Sequence, residues 1–370
     1  MRGQLKFLNK YFEVIAVSGA GADLDEVAER EGVSVIPLSM ERQISLLQDL
    51  RSFISLFLLF RKTKPMLVHS ITPKAGLLSM AAAYFAGVPV RMHTFTGLIF
   101  PTHSGNYQRL LIAMDKLLCF FASNIYPEGE GVKKDLIRFN ITGKPLKVLA
   151  NGNVNGVDVS HFNPENFDAQ QKLELRQSVG LMETDFVFVY VGRLVGDKGV
   201  NELIEAFRIL NANNPGTRLL IIGSAEGESD PLKQQTIDQI ERNPAINLIG
   251  FQSDIRPYLS IAQALVLASY REGFPNVVLQ GGAMGLPCLV TDINGSNEII
   301  KHGENGLIVP VKDVERTRDA MALLVKDIDL YQRLKAKARG LIVSRYDQRL
   351  VWQAVLEEYN LLLRNEAKQR

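Results

Sequence analysis

The residues best suited to chemistry lie in the second half of the chain. Glu272-Gly273-Phe274-Pro275-Asn276-Val277-Val278-Leu279-Gln280 sets an acidic side chain at the start of a helix, just after the apolar run Ala264-Leu265-Val266-Leu267. A polar hook at a strand-to-helix turn sits where α/β sheets bind ligands. The unpaired N–H groups of such a helix start suit phosphate or sugar oxygens. Upstream, Tyr190-Val191-Gly192-Arg193-Leu194 ends a strand in Gly-Arg, and Asp197-Lys198-Gly199 precedes a helix over 200–210. Arg193 offers a planar fork and Lys198 a point charge, which together can neutralise a diphosphate without a metal. Taken alone, the two read more readily as surface charges on a loop, since Gly-Arg after a strand is common. Gly250-Phe251-Gln252-Ser253-Asp254 ends another strand in a turn whose backbone can face a base edge, with Asp254 placed to cap the next helix. Asn294-Gly295-Ser296-Asn297-Glu298 opens a further helix after the next strand. Four such turns point to a nucleotide-sugar pocket.

The elements that must hold these turns are visible as apolar, β-branched runs alternating with helical stretches, the pattern of parallel sheets covered by helices on both faces. The runs predict strands at 13–17, 33–37, 66–69, 90–93 and 147–149, and again at 186–190, 218–222, 246–249, 264–268, 286–291 and 306–309. A length of 370 residues suits two domains, each with its own core. The turn-rich segment from Asn151 through Pro164 is the expected connection, dividing a domain over 1–160 from one over 161–345, with an amphipathic helix over 346–370 closing the chain. One irregularity stands at the start. Residues 4–11 already read as a helix, where a doubly wound domain opens with a strand and a glycine-bearing turn, so the first domain is expected to lack its first strand.

A hydrophobic share of 46% and a charged share of 22% are ordinary for a globular protein and do not suggest disorder. Cys119 and Cys288, far apart and in apolar surroundings, support neither a disulfide framework nor a cysteine metal site. Residues 1–150 carry 18 Lys and Arg against 12 Asp and Glu, and the rest 24 against 28. The basic half suits an anionic membrane or a phosphorylated acceptor. Phe53–Phe60, flanked by Arg51 and Arg61-Lys62, is far short of the ~20 apolar residues of a membrane span. Extended back to Ile44, it reads as an amphipathic helix packed on the sheet with one edge available to lipid. No secretory signal is visible. No Gly-x-Gly-x-x-Gly follows a strand, which disfavours a dehydrogenase, and no basic stripe with interleaved aromatics suggests nucleic-acid binding. Metal-ligand spacing is missing too, so no metal is expected.

Several of these residues fall in one family order: Gly192-Arg193-Leu194 with Asp197-Lys198-Gly199, Gly250-Phe251 with Asp254, Glu272-Gly273-Phe274-Pro275, Ala283-Met284-Gly285-Leu286-Pro287, and Glu298. On them, and over nearly its whole length, the chain resembles a retaining glycosyltransferase of family four. The resemblance implies the GT-B fold: α/β, with two Rossmann-like, doubly wound parallel-sheet domains facing across a cleft. It implies that Arg193 and Lys198 bind the donor diphosphate. Glu272, with Gly273 and Phe274, is then assigned to the donor-sugar hydroxyls, and Gly192, Phe251, Pro275, Asn276 and Glu298 complete the donor pocket. The family's second Glu, eight positions after the first, contacts the ribose; here that position is Gln280, which accepts a hydrogen bond without charge assistance. In the first half, His69-Ser70-Ile71-Thr72-Pro73-Lys74-Ala75-Gly76 and Arg91-Met92-His93-Thr94-Phe95-Thr96-Gly97 resemble a branch acting on lipid-linked sugars in bacterial surface-polysaccharide or glycoprotein pathways. That likeness adds His93 to the catalytic set and Thr72, Lys74 and Thr96 to the acceptor side. The last helix is implied to cross back onto the first domain and couple the two as they close.

The implied reaction retains anomeric configuration and needs no cofactor. Its implied partners are a nucleotide sugar, with UDP expected, a polyprenyl-diphosphate-linked sugar acceptor, and the inner face of the cytoplasmic membrane. Two other readings use the same diphosphate residues. A sugar-nucleotide epimerase needs carboxylates and a His able to move ring protons, which are few here. A sugar-nucleotide-binding protein without transferase activity is motivated by Gln280 and the short N-terminal region, and opposed by the presence of Arg193, Lys198 and Glu272.

Overall fold

Short apolar runs bounded by turn formers become strands when helices bury both of their faces. The computed structural model describes residues 2–40, 45–225 and 230–369 and divides into two units, Met1–Gly156 with Gln348–Arg370, and Val157–Asp347. In the first unit β1 (Ile15–Ser18) and β2 (Ser34–Pro37) pair in parallel, as do β3 (Leu67–Ser70), β4 (Val90–Phe95) and β5 (Asn124–Pro127). Between β1 and β3 the sheet is interrupted by a cavity of about 920 Å³, lined by Ile15–Ser18, Leu67–Ser70, Leu56 and Phe60. Each of these two strands leaves one edge open. Side chains alternate across the three-stranded sheet. Val90, Met92 and Tyr126 pack under the helix Gln348–Gln369, while Phe95 and Ile125 pack under the helices Pro73–Ala86 and Gly105–Phe121.

Two expectations need correction. No strand forms at 147–149; an isolated parallel bridge Ile125↔Leu146 lies just before that stretch. β5 comes instead from Asn124-Ile125-Tyr126-Pro127, whose Asn and Pro ends hide it from a propensity pattern. Its partner β4 supplies the ladder, from Met92↔Asn124 to Phe95↔Pro127, and Ser123 N donates to Arg91 O at 2.7 Å. The closing helix forms over Gln348–Gln369, within the expected 346–370, and belongs to the first unit, with Asp347 separating it from the helix Ile328–Tyr346 of the second. Finally, Val157 N donates to Tyr346 O at 2.8 Å and Val157 bridges Asp347, which puts the division at Gly156/Val157, ahead of 160/161. The apolar helix of the first half runs Leu46–Thr63, and its expected extension to Ile44 lies outside the described residues. Among the described residues no helix is long and apolar enough to cross a membrane.

In the second unit β6 (Phe186–Val191), β7 (Thr217–Ile222), β8 (Ile246–Gly250), β9 (Ala264–Leu267), β10 (Cys288–Thr291) and β11 (Gly306–Val309) form one parallel sheet in the order β11-β10-β9-β6-β7-β8. Val187 and Val189 enter one core and Phe188 and Tyr190 the other, so the two sheet faces are buried separately. Strand order reverses between β6 and β9. Connections leaving these two strands diverge to opposite sides, which opens a crevice at their carboxyl ends.

Candidate active site

Lys198 and Glu272 are 74 positions apart and meet because β6 and β9 are neighbours. Lys198 ends the short 3₁₀ turn Gly196–Lys198 that follows β6, and Glu272 lies in the turn after β9. Lys198 Nζ is 2.6 Å from Glu272 Oε1, and Ser269 Oγ donates to the same oxygen at 2.8 Å. The two side chains keep 20% and 18% of their surface exposed, so the pair is within reach of a ligand from solvent. Both turns are braced. Tyr270 N donates to Asp197 O at 2.9 Å, Arg271 Nη2 pairs with Asp197 Oδ2 at 3.2 Å, and Asp197 N donates to Asp230 Oδ2 at 2.6 Å. From the far side Thr291 Oγ1 donates to Ser269 O at 2.5 Å. Gly199, at φ +67°, lets the turns abut: a Cβ there would lie 2.0 Å from Ala268 O. Gly295, at φ +74°, does the same for the Asn294–Glu298 turn, where a Cβ would lie 2.4 Å from Gly273 O.

The other donor-side residues take distinct places. Gly192 closes β6 with its N–H donating to Ile222 O at 3.0 Å, and Arg193 follows it, exposed, its carbonyl accepting from Tyr190 OH at 2.8 Å. Burial, then the charges of Glu272 and Asp197, push the Tyr190 hydroxyl far up, which keeps it a donor. Phe251 stands after β8 with 74% of its surface exposed. Phe274 is buried, its ring 5.6 Å from that of Tyr346, so its side chain is committed to the core. Pro275 is buried ahead of the helix Asn276–Ala283, which begins with exposed Asn276 and carries half-buried Gln280. Glu298 is tied locally: its Oε1 accepts from Gly295 N at 3.3 Å, and its carbonyl accepts from Tyr346 OH and Arg345 Nη1, each at 3.1 Å. Among the described residues no three of His, Cys, Asp and Glu converge to hold a metal ion.

The first unit gathers a second polar cluster at the ends of β3 and β4. His93, buried, has Nδ1 2.8 Å from Ser70 Oγ, while its Nε2 has no hydrogen-bond partner. A Cβ on Gly76 would lie 2.6 Å from the His93 ring, so glycine is what admits the ring. His69 bridges Tyr359 OH at 2.6 Å through Nδ1 and Thr94 Oγ1 at 2.8 Å through Nε2. Thr96 Oγ1 donates to Ile71 O at 3.0 Å, tying the two loops together. Exposed Thr72 opens the helix Pro73–Ala86, and Lys74 pairs with Asp49 at 2.6 Å. Burial lowers His69 to about 4, and burial with the nearby His69 lowers His93 to about 3, so both are neutral at pH 7. Unfolding returns them to about 6.5. The unfolded chain then binds more protons below that pH, so stability is full above about 6.5 and falls toward about 4. The thermal midpoint should drop through this window, and less steeply in His93→Gln; a midpoint that stays flat on acidification would contradict this linkage.

Residues the sequence did not single out support both clusters. Ser269 lies three positions before Glu272, a local spacing that a search for side-chain partners can find. Asp230, Ser70 and Tyr359 have no comparable signal, since their partners lie 33, 23 and 290 positions away.

Residues 171–341 match the profile of the glycosyl transferases group 1, and residues 11–152 that of a glycosyl transferase 4-like domain. The chain is 32% identical to the capsular polysaccharide biosynthesis glycosyltransferase CapM of Staphylococcus aureus, over 98% of this chain and 94% of that protein. It is 29% identical to the Escherichia coli UDP-Gal:α-D-GlcNAc-diphosphoundecaprenol α-1,3-galactosyltransferase, over 86% of this chain and 81% of that one. Its fold is similar to that of Anabaena HepE, solved in complex with UDP and glucose, with a TM-score of 0.80 at 18% identity, covering 96% of this chain and 94% of that one.

Proposed function

The chain belongs to the group 1 glycosyl transferases, and from that premise we propose that it moves a sugar from a UDP-sugar to a hydroxyl of a polyprenyl-diphosphate-linked sugar in surface-polysaccharide synthesis, at the cytoplasmic face of the membrane. The observation that carries the reading is the Lys198–Glu272 pair at the reversal of strand order, where an α/β sheet receives its ligand. The E. coli relative, named for a UDP-sugar donor and a diphosphoundecaprenol-linked acceptor, supports the substrate classes.

In this reading Arg193 and Lys198 oppose the charge that grows on the departing diphosphate, supplying counter-charge from the protein itself. Glu272 and the backbone of Gly273 and Phe274 orient the sugar hydroxyls, and Gln280 accepts from the ribose. The acceptor oxygen bonds to the anomeric carbon on the face from which the diphosphate leaves, so configuration is retained. As the carbon–phosphate oxygen bond breaks, the leaving phosphate oxygen takes the acceptor proton. In the first unit His93, expected in the catalytic set, is buried with its Nε2 closed to solvent, so its part is to hold Ser70 Oγ in place and not to touch a substrate hydroxyl. The test is a thermal-shift panel of nucleotide sugars, followed by nucleotide release with a lipid-linked acceptor. A shift with one UDP-sugar and acceptor-dependent UDP release are expected. Binding without release from any acceptor of this class would favour a binding-only protein, and an absence of binding would remove the donor site.

A further inference from the structure

One face of the β3-β4-β5 sheet is covered by the helices Leu46–Thr63, Pro73–Ala86 and Gly105–Phe121. Their inner sides fill the core with Leu56, Phe60, Met80, Ala82 and Leu118. Their outer sides are not polar, as a solvated helix face would be. Leu47, Leu50, Ile54 and Leu58 recur at helical spacing on exposed positions of the first helix. The ends of the other two expose Tyr84, Phe85, Leu117 and Phe120, with Phe85 at 59% and Phe120 at 63%. The rings form one chain. Phe53 and Phe85 have centroids 6.1 Å apart, Phe85 and Tyr84 5.4 Å, Tyr84 and Phe120 6.1 Å, and Phe120 and Phe121 5.2 Å. An exposed apolar patch of this extent marks a contact surface.

The charges on the same helices select the partner. Six basic residues, Arg51, Arg61, Lys62, Lys74, Arg109 and Lys116, stand against Asp49 and Asp115. Asp49 is paired with Lys74 at 2.6 Å, and burial pushes the Asp115 carboxyl up to about 7, so neither sets a full negative charge against an approaching anion. The five remaining cations are all exposed. Two more stand at the aromatic cluster itself. The Arg91 guanidinium lies 5.3 Å from the centre of the Tyr84 ring, and Lys144 Nζ donates to Cys119 O at 2.7 Å and Phe120 O at 3.1 Å. Glu366 of the helix Gln348–Gln369 acts on Arg91, but on the three helices themselves exposed aromatic rings and exposed cations stand with little uncompensated acid, which matches the headgroup level of an anionic bilayer: rings at the acyl boundary, cations among phosphates.

We infer that the outer face of these three helices, centred on Tyr84, Phe85 and Phe120, docks the protein on an anionic lipid bilayer. The inference rests on the proposed lipid-linked acceptor, because docking confines the enzyme to the surface where such an acceptor is held. It is tested by flotation with phosphatidylcholine vesicles, with and without phosphatidylglycerol. The wild type should float with the anionic vesicles, remain behind with the neutral ones, and release as salt rises. Phe85→Ser combined with Phe120→Ser should lower the bound fraction about tenfold, with the thermal midpoint and the thermal shift by UDP unchanged. Arg61→Glu combined with Lys62→Glu, an independent variant, should weaken binding and flatten its salt dependence. Wild type that does not float, or a Phe double variant that floats as well as wild type, overturns the inference. A solution dimer that the Phe double variant converts to monomer overturns it in favour of a second copy on this face. Flotation needs no turnover, so lost transfer with intact flotation sinks the proposed reaction alone.

Discussion

Lys198→Ala is expected to lower sugar transfer at saturating donor by a factor of about 10² to 10³, the range seen when one preorganised stabiliser of transition-state charge is removed. Lys198 and Glu272 satisfy each other at 2.6 Å. The pair therefore holds both groups at the strand ends, and in the proposed reaction a diphosphate entering beside Lys198 competes with Glu272 for its charge. Removing the amine leaves the carboxylate with the Ser269 hydroxyl as a partner. The cost to folding should be about 1–3 kcal/mol, since a carboxylate with only 18% of its side chain exposed keeps the Ser269 hydroxyl but loses its charged partner. Nucleotide release and a thermal melt measure the two effects separately. Turnover indistinguishable from wild type would take Lys198 out of the reaction, whereas lost turnover with a collapsed melt would show a structural role instead.

Gly199→Ala should be among the most damaging single methyl additions in the second unit. Gly199 has φ +67°, and the added Cβ would stand 2.0 Å from Ala268 O and 2.6 Å from Ala268 C, contacts with backbone that no rotamer relieves. Left-handed strain of about 1–2 kcal/mol and overpacking of about 1–3 kcal/mol add to about 2–5 kcal/mol. The helix Val200–Asn213 must then move away from the end of β9, carrying Lys198 from Glu272, so donor binding should fail along with stability. Gly180→Ala isolates the first contribution. Its φ is +72° but nothing lies within 4 Å of the Cβ position, so only the backbone strain should appear. Chemical denaturation of the two variants decides the matter: equal midpoints would mean that the contact at Ala268 relaxes without cost.

The strands of the second unit were legible because each is a run of residues that two buried faces accept, and all six expected positions carry one. β5 was not legible. Its four residues begin with Asn and end with Pro, and it is a strand because β4 lies beside it, as the ladder from Met92↔Asn124 to Phe95↔Pro127 records. The reverse happened at 147–149, where a favourable local pattern found no continuous neighbour to pair with. The closing helix was legible from its local apolar spacing and forms over Gln348–Gln369, but the boundary at Gly156/Val157 was not legible, since Val157 bridges Asp347, 190 positions later in the chain.

Side-chain type and spacing by themselves determined that this chain builds parallel α/β units and that Lys198, Arg193 and Glu272 follow strand ends, because apolar periodicity and turn chemistry act over a few residues. Tertiary structure decided which of those groups meet. Lys198 reaches Glu272 because strand order brings β6 beside β9, and His69 is held by Tyr359 because the helix Gln348–Gln369 returns across the first unit's sheet. The neutral state of His93 likewise comes from burial beneath a helix whose Gly76 leaves room for the ring. Such contacts join residues many positions apart, so they depend on how whole elements pack, and no local window of sequence contains that information.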